Sequence, residues 1–137
     1  MPPIIESFFR SALKVICPKT LVEVTLADRP IGGMVHIVGF GKGAAGMVSG
    51  VINSVGDDKI VAGIVSVPIG TFDTMKKNDR LDLWPSHPAV LTFEVAKDNL
   101  PDDASAVASG RILDYCRTLT AGNERKDDFV SLNSVTV

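Results

Sequence analysis

Val35-His36-Ile37-Val38-Gly39-Phe40-Gly41-Lys42-Gly43-Ala44-Ala45 is the stretch that decides the fold. Met34 to Val38 reads as a buried strand, a short apolar run rich in β-branched residues. Gly39, Gly41 and Gly43 follow it, and then Ala44, Ala45, Val48, Val51, Ile52 and Val55 recur at helical spacing. The pattern predicts a strand, a tight glycine turn and a helix from about Lys42 to Ser54, broken by Gly56-Asp57-Asp58. Glycine suits such a turn because it tolerates positive φ and lets another group come close to the backbone.

Outward from this unit the same alternation continues. Ile60 to Val67 is a β-branched run, expected to be a central strand of a parallel sheet, buried on both faces. Val90 to Val95 reads as a further strand. Pro101-Asp102-Asp103 opens a helix whose inner stripe is expected to be Ala104, Val107, Ala108, Ile112, Tyr115, Cys116 and Leu119. Phe129-Val130 begins a last strand. Toward the N-terminus, Ile5, Phe8, Phe9, Ala12, Leu13 and Ile16 mark an amphipathic helix that stops near Cys17, because Pro18 disfavours helix in the residue before it. A second short helix is read from Lys19 to Ala27. The expected fold class is therefore α/β: a Rossmann-like three-layer parallel sheet with helices on both faces, in an incomplete domain. The polar patch Thr120 to Asp128 is its loosest segment.

Composition narrows the function. The 137 residues carry 14 Lys+Arg and 16 Asp+Glu, a net charge of −2, which leaves no electrostatic footprint for nucleic acid. No run approaches the ~20 apolar residues of a membrane helix. Cys17 and Cys116 do not make a disulfide scaffold and are expected as free thiols in a reducing, cytoplasmic setting. Arg10, Ser7 and Ser11 keep a mitochondrial setting open, and a homo-oligomer is left open as well. The two histidines and two cysteines lie too far apart in sequence for a metal cluster, so no metal ligands are assigned.

The glycine turn carries the chemistry. A helix starting near Lys42 directs its positive dipole end, and N–H groups without helical partners, at the gap behind the strand. Lys42 adds a full positive charge there, so the turn reads as a seat for a phosphate or a carboxylate. The competing reading is a turn that only packs a helix close against a strand, with Lys42 exposed. Gly41, Gly43 and Gly46 stand at G-x-G-x-x-G spacing, which admits a nicotinamide- or flavin-dependent oxidoreductase. That alternative expects an acid after the second strand, where this chain has Val67-Pro68-Ile69-Gly70. G-x-x-x-x-G-K-[ST] is absent.

With these residues in view, the chain resembles the glycerate kinase family that phosphorylates D-glycerate to 2-phosphoglycerate. Val35 to Ala45 resembles the family's first strand and turn. Gly63-Ile64-Val65-Ser66-Val67-Pro68-Ile69-Gly70 resembles its second strand and loop, and Asn99-Leu100-Pro101-Asp102, with a helix running through Gly110-Arg111-Ile112-Leu113, its N-x-P-D segment. Phe8-Phe9-Arg10-Ser11-Ala12-Leu13 and Leu21-Val22 suit its opening helices. The resemblance implies ATP-dependent phosphoryl transfer, ATP with Mg²⁺ held largely by phosphate oxygens, and D-glycerate as the small-molecule partner. It implies Lys42 as the catalytic residue, with Gly39, Gly41, Gly43 and Asp102 at the binding site. Residues 1–130 correspond to the N-terminal part of the family's α/β domain, and 131–137 form a divergent tail. There the family continues into an S-G-G-G-S-A loop and a second domain, whereas this chain reads Ser131-Leu132-Asn133-Ser134-Val135-Thr136-Val137. The chain thus reads as a truncated or alternatively spliced form, of which little or no turnover is expected; a non-catalytic splice fragment is the further alternative.

Other polar residues have plainer readings. Lys76-Lys77-Asn78-Asp79-Arg80 is expected as a solvated charged turn. His36 and His87 are expected to be structural, held by hydrogen bonds. Asp102 has two readings, one facing the active site and one as an acid that starts a helix.

Overall fold

The computed structural model describes residues 2–121 and 129–133. Of the patch Thr120 to Asp128, residues 122–128 lie outside these, as do 134–137 of the tail. Four strands, β1 (Val35–Phe40), β2 (Ile60–Pro68), β3 (Val90–Val95) and β4 (Phe129–Asn133), form one sheet in the order β3-β2-β1-β4, and every pairing is parallel. Five helices accompany them: α1 (Pro3–Val15), α2 (Pro18–Asp28), α3 (Ala44–Val55), α4 (Thr71–Lys77) and α5 (Asp103–Ala121).

The alternation of side chains along β1 separates the two faces of the sheet. Val35 and Ile37, with Val65 and Val67 of β2, pack against Ala44, Ala45, Val48 and Val51 of α3, and all eight are essentially inaccessible to solvent. His36 points the other way, where its Nδ1 meets the Tyr115 hydroxyl of α5 at 2.8 Å. On that same face the Arg111 guanidinium lies 5.1 Å from the centre of the Phe93 ring of β3. Helices therefore cover both faces, and β2, paired on both sides, is central as its sequence implies.

Beyond α3 lies α2, drawn close by small residues. A Cβ at Gly50 would stand 2.7 Å from the Lys19 carbonyl oxygen and 3.0 Å from Val22 Cβ. A Cβ at Gly46 would meet Pro18 and Lys19 at 3.6 Å. Ser49 on the same side donates to the Asp82 carbonyl at 2.7 Å.

The structure corrects several boundaries. α3 begins at Ala44, two residues later than expected, because Gly41 takes φ 96° and its carbonyl accepts the Ala44 N–H at 3.1 Å. A tight turn thus occupies Gly41–Gly43. Lys76 and Lys77 are helical, in α4; the turn itself is confined to the residues around Asp79, which adopts φ 54°. Ala104 and Val107 of α5 are exposed, and Ser105 takes the inner position instead. α1 forms over the expected residues, yet none of them is buried, and Phe8 keeps 77% of its accessible surface. Periodicity reports an apolar face; it does not report what covers it.

Candidate functional site

In a parallel sheet the carboxyl ends of all strands lie along one edge. β1 and β2, then β3, run outward in sequence order, and β4 returns to the far side of β1. The order reverses at β1, and ligands of open α/β sheets bind outside the carboxyl ends at such a reversal. The glycine turn is the segment that leaves β1 there.

Lys42 lines a cleft of about 370 Å³ together with Pro68, Ile69, Gly70, Thr71, Thr74 and Met75. The lysine is exposed and enters no ion pair among the described residues. The opposite wall is the turn from β2 into α4. Gly70 adopts φ 84°, the left-handed region, and Thr71 Oγ1 donates to the Pro68 carbonyl at 2.5 Å. This wall is tied to β3 twice: Ile69 N–H donates to the Val95 carbonyl at 2.8 Å, and Phe72 N–H to Glu94 Oε1 at 3.0 Å. Thr71, Thr74 and Glu94 escaped the sequence reading, since nothing in their local pattern says that this turn folds back beside Lys42.

The glycines divide the work. Gly41 supplies the left-handed turn, and its N–H donates to the Ser66 carbonyl at 3.0 Å, fastening the turn to β2. Gly39 is buried, and a Cβ there would sit 3.0 Å from Val48 Cγ2 and 3.4 Å from Val65 Cγ1, so its role is close packing of α3 on the sheet. Gly43 precedes the first residue of α3, and its carbonyl accepts the Met47 N–H at 3.1 Å. The amides of Gly41 and Ala44 are engaged inside the turn, and Lys42 is the residue of the turn that lines the cleft.

Asp102 is placed differently. Its Oδ1 accepts Ser105 N–H at 2.7 Å, Ser105 Oγ–H at 2.6 Å and Ala96 N–H at 3.3 Å, while Oδ2 accepts Lys97 N–H at 3.1 Å. These donors, the Ser105 hydroxyl first, lower the carboxyl to about 2. The carboxylate holds the start of α5 and fixes a turn in which Ala96 and Asp98 both adopt left-handed φ, 61° and 56°. Such angles cost energy for residues with a Cβ and persist where the surroundings enforce them.

The remaining polar groups are structural or lie elsewhere. Burial pushes the Tyr115 phenol up, the Cys116 charge adds to this, and the hydroxyl shares a hydrogen bond with His36 Nδ1. His87 Nδ1 accepts the Ala89 N–H at 3.1 Å, leaving Nε2–H to donate to the Asp57 carbonyl at 3.2 Å. Cys17 borders a second groove, of about 660 Å³, lined also by Arg10, Lys14, Thr20 and Arg80. Partial burial pushes its thiol up, but the Thr20 and Lys19 amides, the Arg80 guanidinium and the Thr20 hydroxyl together bring it below the ordinary value. Among the described residues no three His, Cys, Asp or Glu side chains come together to hold a metal ion, and no helix is long and apolar enough to cross a membrane.

A zebrafish (Danio rerio) glycerate kinase is 35% identical over 86 residues, which is 62% of this chain and 17% of the relative, so the match spans about a sixth of the relative's length. No solved structure matches the chain. The family model described as a domain of unknown function, DUF4147, matches residues 4–131, and the chain belongs to this glycerate kinase-associated family.

Proposed function

We propose that this chain carries the anion-gripping turn of a glycerate kinase, an enzyme that moves the γ-phosphoryl group of ATP to a hydroxyl of D-glycerate and forms 2-phosphoglycerate. The observation that carries the reading is Lys42: an ammonium without an ion-pair partner among the described residues, on the rim of a cleft at the carboxyl end of β1. Residues 1–130 are read as the N-terminal part of the domain, with the tail after them divergent.

Phosphoryl transfer relies mostly on positioning and on charge stabilisation. A fixed cation can neutralise the glycerate carboxylate or the migrating phosphoryl group, and a rigid turn presents it without reorganisation. The buried Gly39 and the left-handed Gly41 supply that rigidity. The described residues offer no carboxylate cluster for Mg²⁺, so the metal is read as arriving with the phosphates of ATP. The oxidoreductase alternative gains no support, since β2 ends at Pro68 and Ile69-Gly70 follows without a ribose-binding acid.

A coupled assay with ATP, Mg²⁺ and D-glycerate tests the reading. In a full-length form that carries this segment, Lys42→Ala is expected to lower turnover by about 100-fold or more. An unchanged rate removes Lys42 from the mechanism.

A further inference from the structure

Glu94 stands near the carboxyl end of β3 and is not part of the lining of the Lys42 cleft. Its Oε1 accepts the Phe72 N–H at 3.0 Å. Phe72 is the second residue of α4, and the first turn of any helix holds N–H groups without an intrahelical partner. The residue ahead of this helix is Gly70, which has no side chain to accept them. Glu94 supplies across the sheet edge the acceptor that a capping side chain would supply locally, and it sets a negative charge at the positive end of the helix. At the next position of β3, the Val95 carbonyl accepts the Ile69 N–H at 2.8 Å. Two consecutive residues of β3 thus clamp both ends of Ile69–Phe72, the stretch that contributes Ile69, Gly70 and Thr71 to the cleft.

We propose that Glu94 is a positioning residue for anion binding at the Lys42 cleft: it fixes the Ile69–Thr71 wall to the sheet without touching the ligand. The proposal rests on the reading of this cleft as an anion seat. Charge and position pull in opposite directions here. A carboxylate close to a bound anion repels it, whereas a fixed wall favours it. Glu94→Gln keeps an acceptor for Phe72 N–H and removes the charge; Glu94→Ala removes both. Glu94 is exposed, so its truncation opens no cavity in the core.

The experiment titrates D-glycerate into the wild-type chain and both variants and follows amide hydrogen exchange at Phe72 in the same samples. Glu94→Gln is expected to bind as tightly as wild type or more tightly, with Phe72 still protected. Glu94→Ala is expected to bind about tenfold more weakly, with faster exchange at Phe72, because a displaced wall no longer presents the ligand to the ammonium. Equal affinity in wild type and Glu94→Ala overturns the proposal. Tighter binding in both variants overturns it too, since charge would then be all that Glu94 contributes. A wild-type chain that binds no D-glycerate overturns the reading of the cleft, and the positioning role falls with it.

Discussion

The turn after β1 and the turn after β3 both place a charged residue at the carboxyl edge of the sheet, and the two residues do opposite things. Asp102 accepts three N–H groups and a hydroxyl, and its charge is answered inside the fold. Lys42 has no ion pair among the described residues, and its charge faces a cleft. A satisfied charge stabilises the fold, whereas an unsatisfied one is available to a ligand. Sequence places both residues in turns of the same kind and cannot tell them apart; the surrounding donors can.

Reciprocal substitution is the strongest way to break this contrast. Lys42→Ala should weaken D-glycerate binding by about tenfold or more, some 1.4 kcal/mol, and leave the melting midpoint unchanged. Asp102→Ala should lower the midpoint and leave the affinity of the remaining folded protein close to wild type. Titration calorimetry and thermal unfolding on the same samples give both numbers, and a variant that moves both quantities together would erase the distinction.

Acid sharpens it. Folding lowers the Asp102 carboxyl from 3.8 to about 2, so its stabilisation is complete above about pH 4 and is lost as pH falls through about 2. Urea midpoints measured from pH 5 to pH 2 should fall less steeply in Asp102→Asn than in wild type, because the amide does not titrate in this range.

Cys17 is a third case, between the two. Its thiolate form is favoured by the Thr20 and Lys19 amides and by Arg80, yet it borders an open groove. At pH 7 iodoacetamide should alkylate it faster in the wild-type chain than in Arg80→Ala, because the variant loses one of the groups that favour the thiolate. Equal rates in the two chains would remove Arg80 from the support of the thiolate.

Much of this was legible in the residues. The β-branched run Ile60–Val67 and the glycines after β1 define the central strands and the turn, because burial on both faces and positive φ each leave a compositional trace. What escaped was non-local. α4 is seven residues between Gly70 and Asn78, too short for its periodicity to stand out, and its charged end reads as a turn. Ser105 lies on the inner side of α5 because it bonds Asp102, a pairing that hydrophobic spacing does not encode. The role of Glu94 depends on β2 and β3 being neighbours, which places a side chain of one beside the first turn of a helix leaving the other. The lack of cover on α1 left no trace either, since Ile5, Phe8 and Leu13 would show the same spacing on a packed helix.

The strand order has a last consequence. β1 has β2 on one side and β4 on the other, so the segment bearing Lys42 cannot be released by peeling away an edge. The β1 amides that face β2 should exchange more slowly than those of the exposed turn that follows, because β2 is itself flanked by β3. The stiffness of the lysine's foundation is then shared with the strands that flank β1, and a change that destabilises that pairing should loosen the turn from a distance.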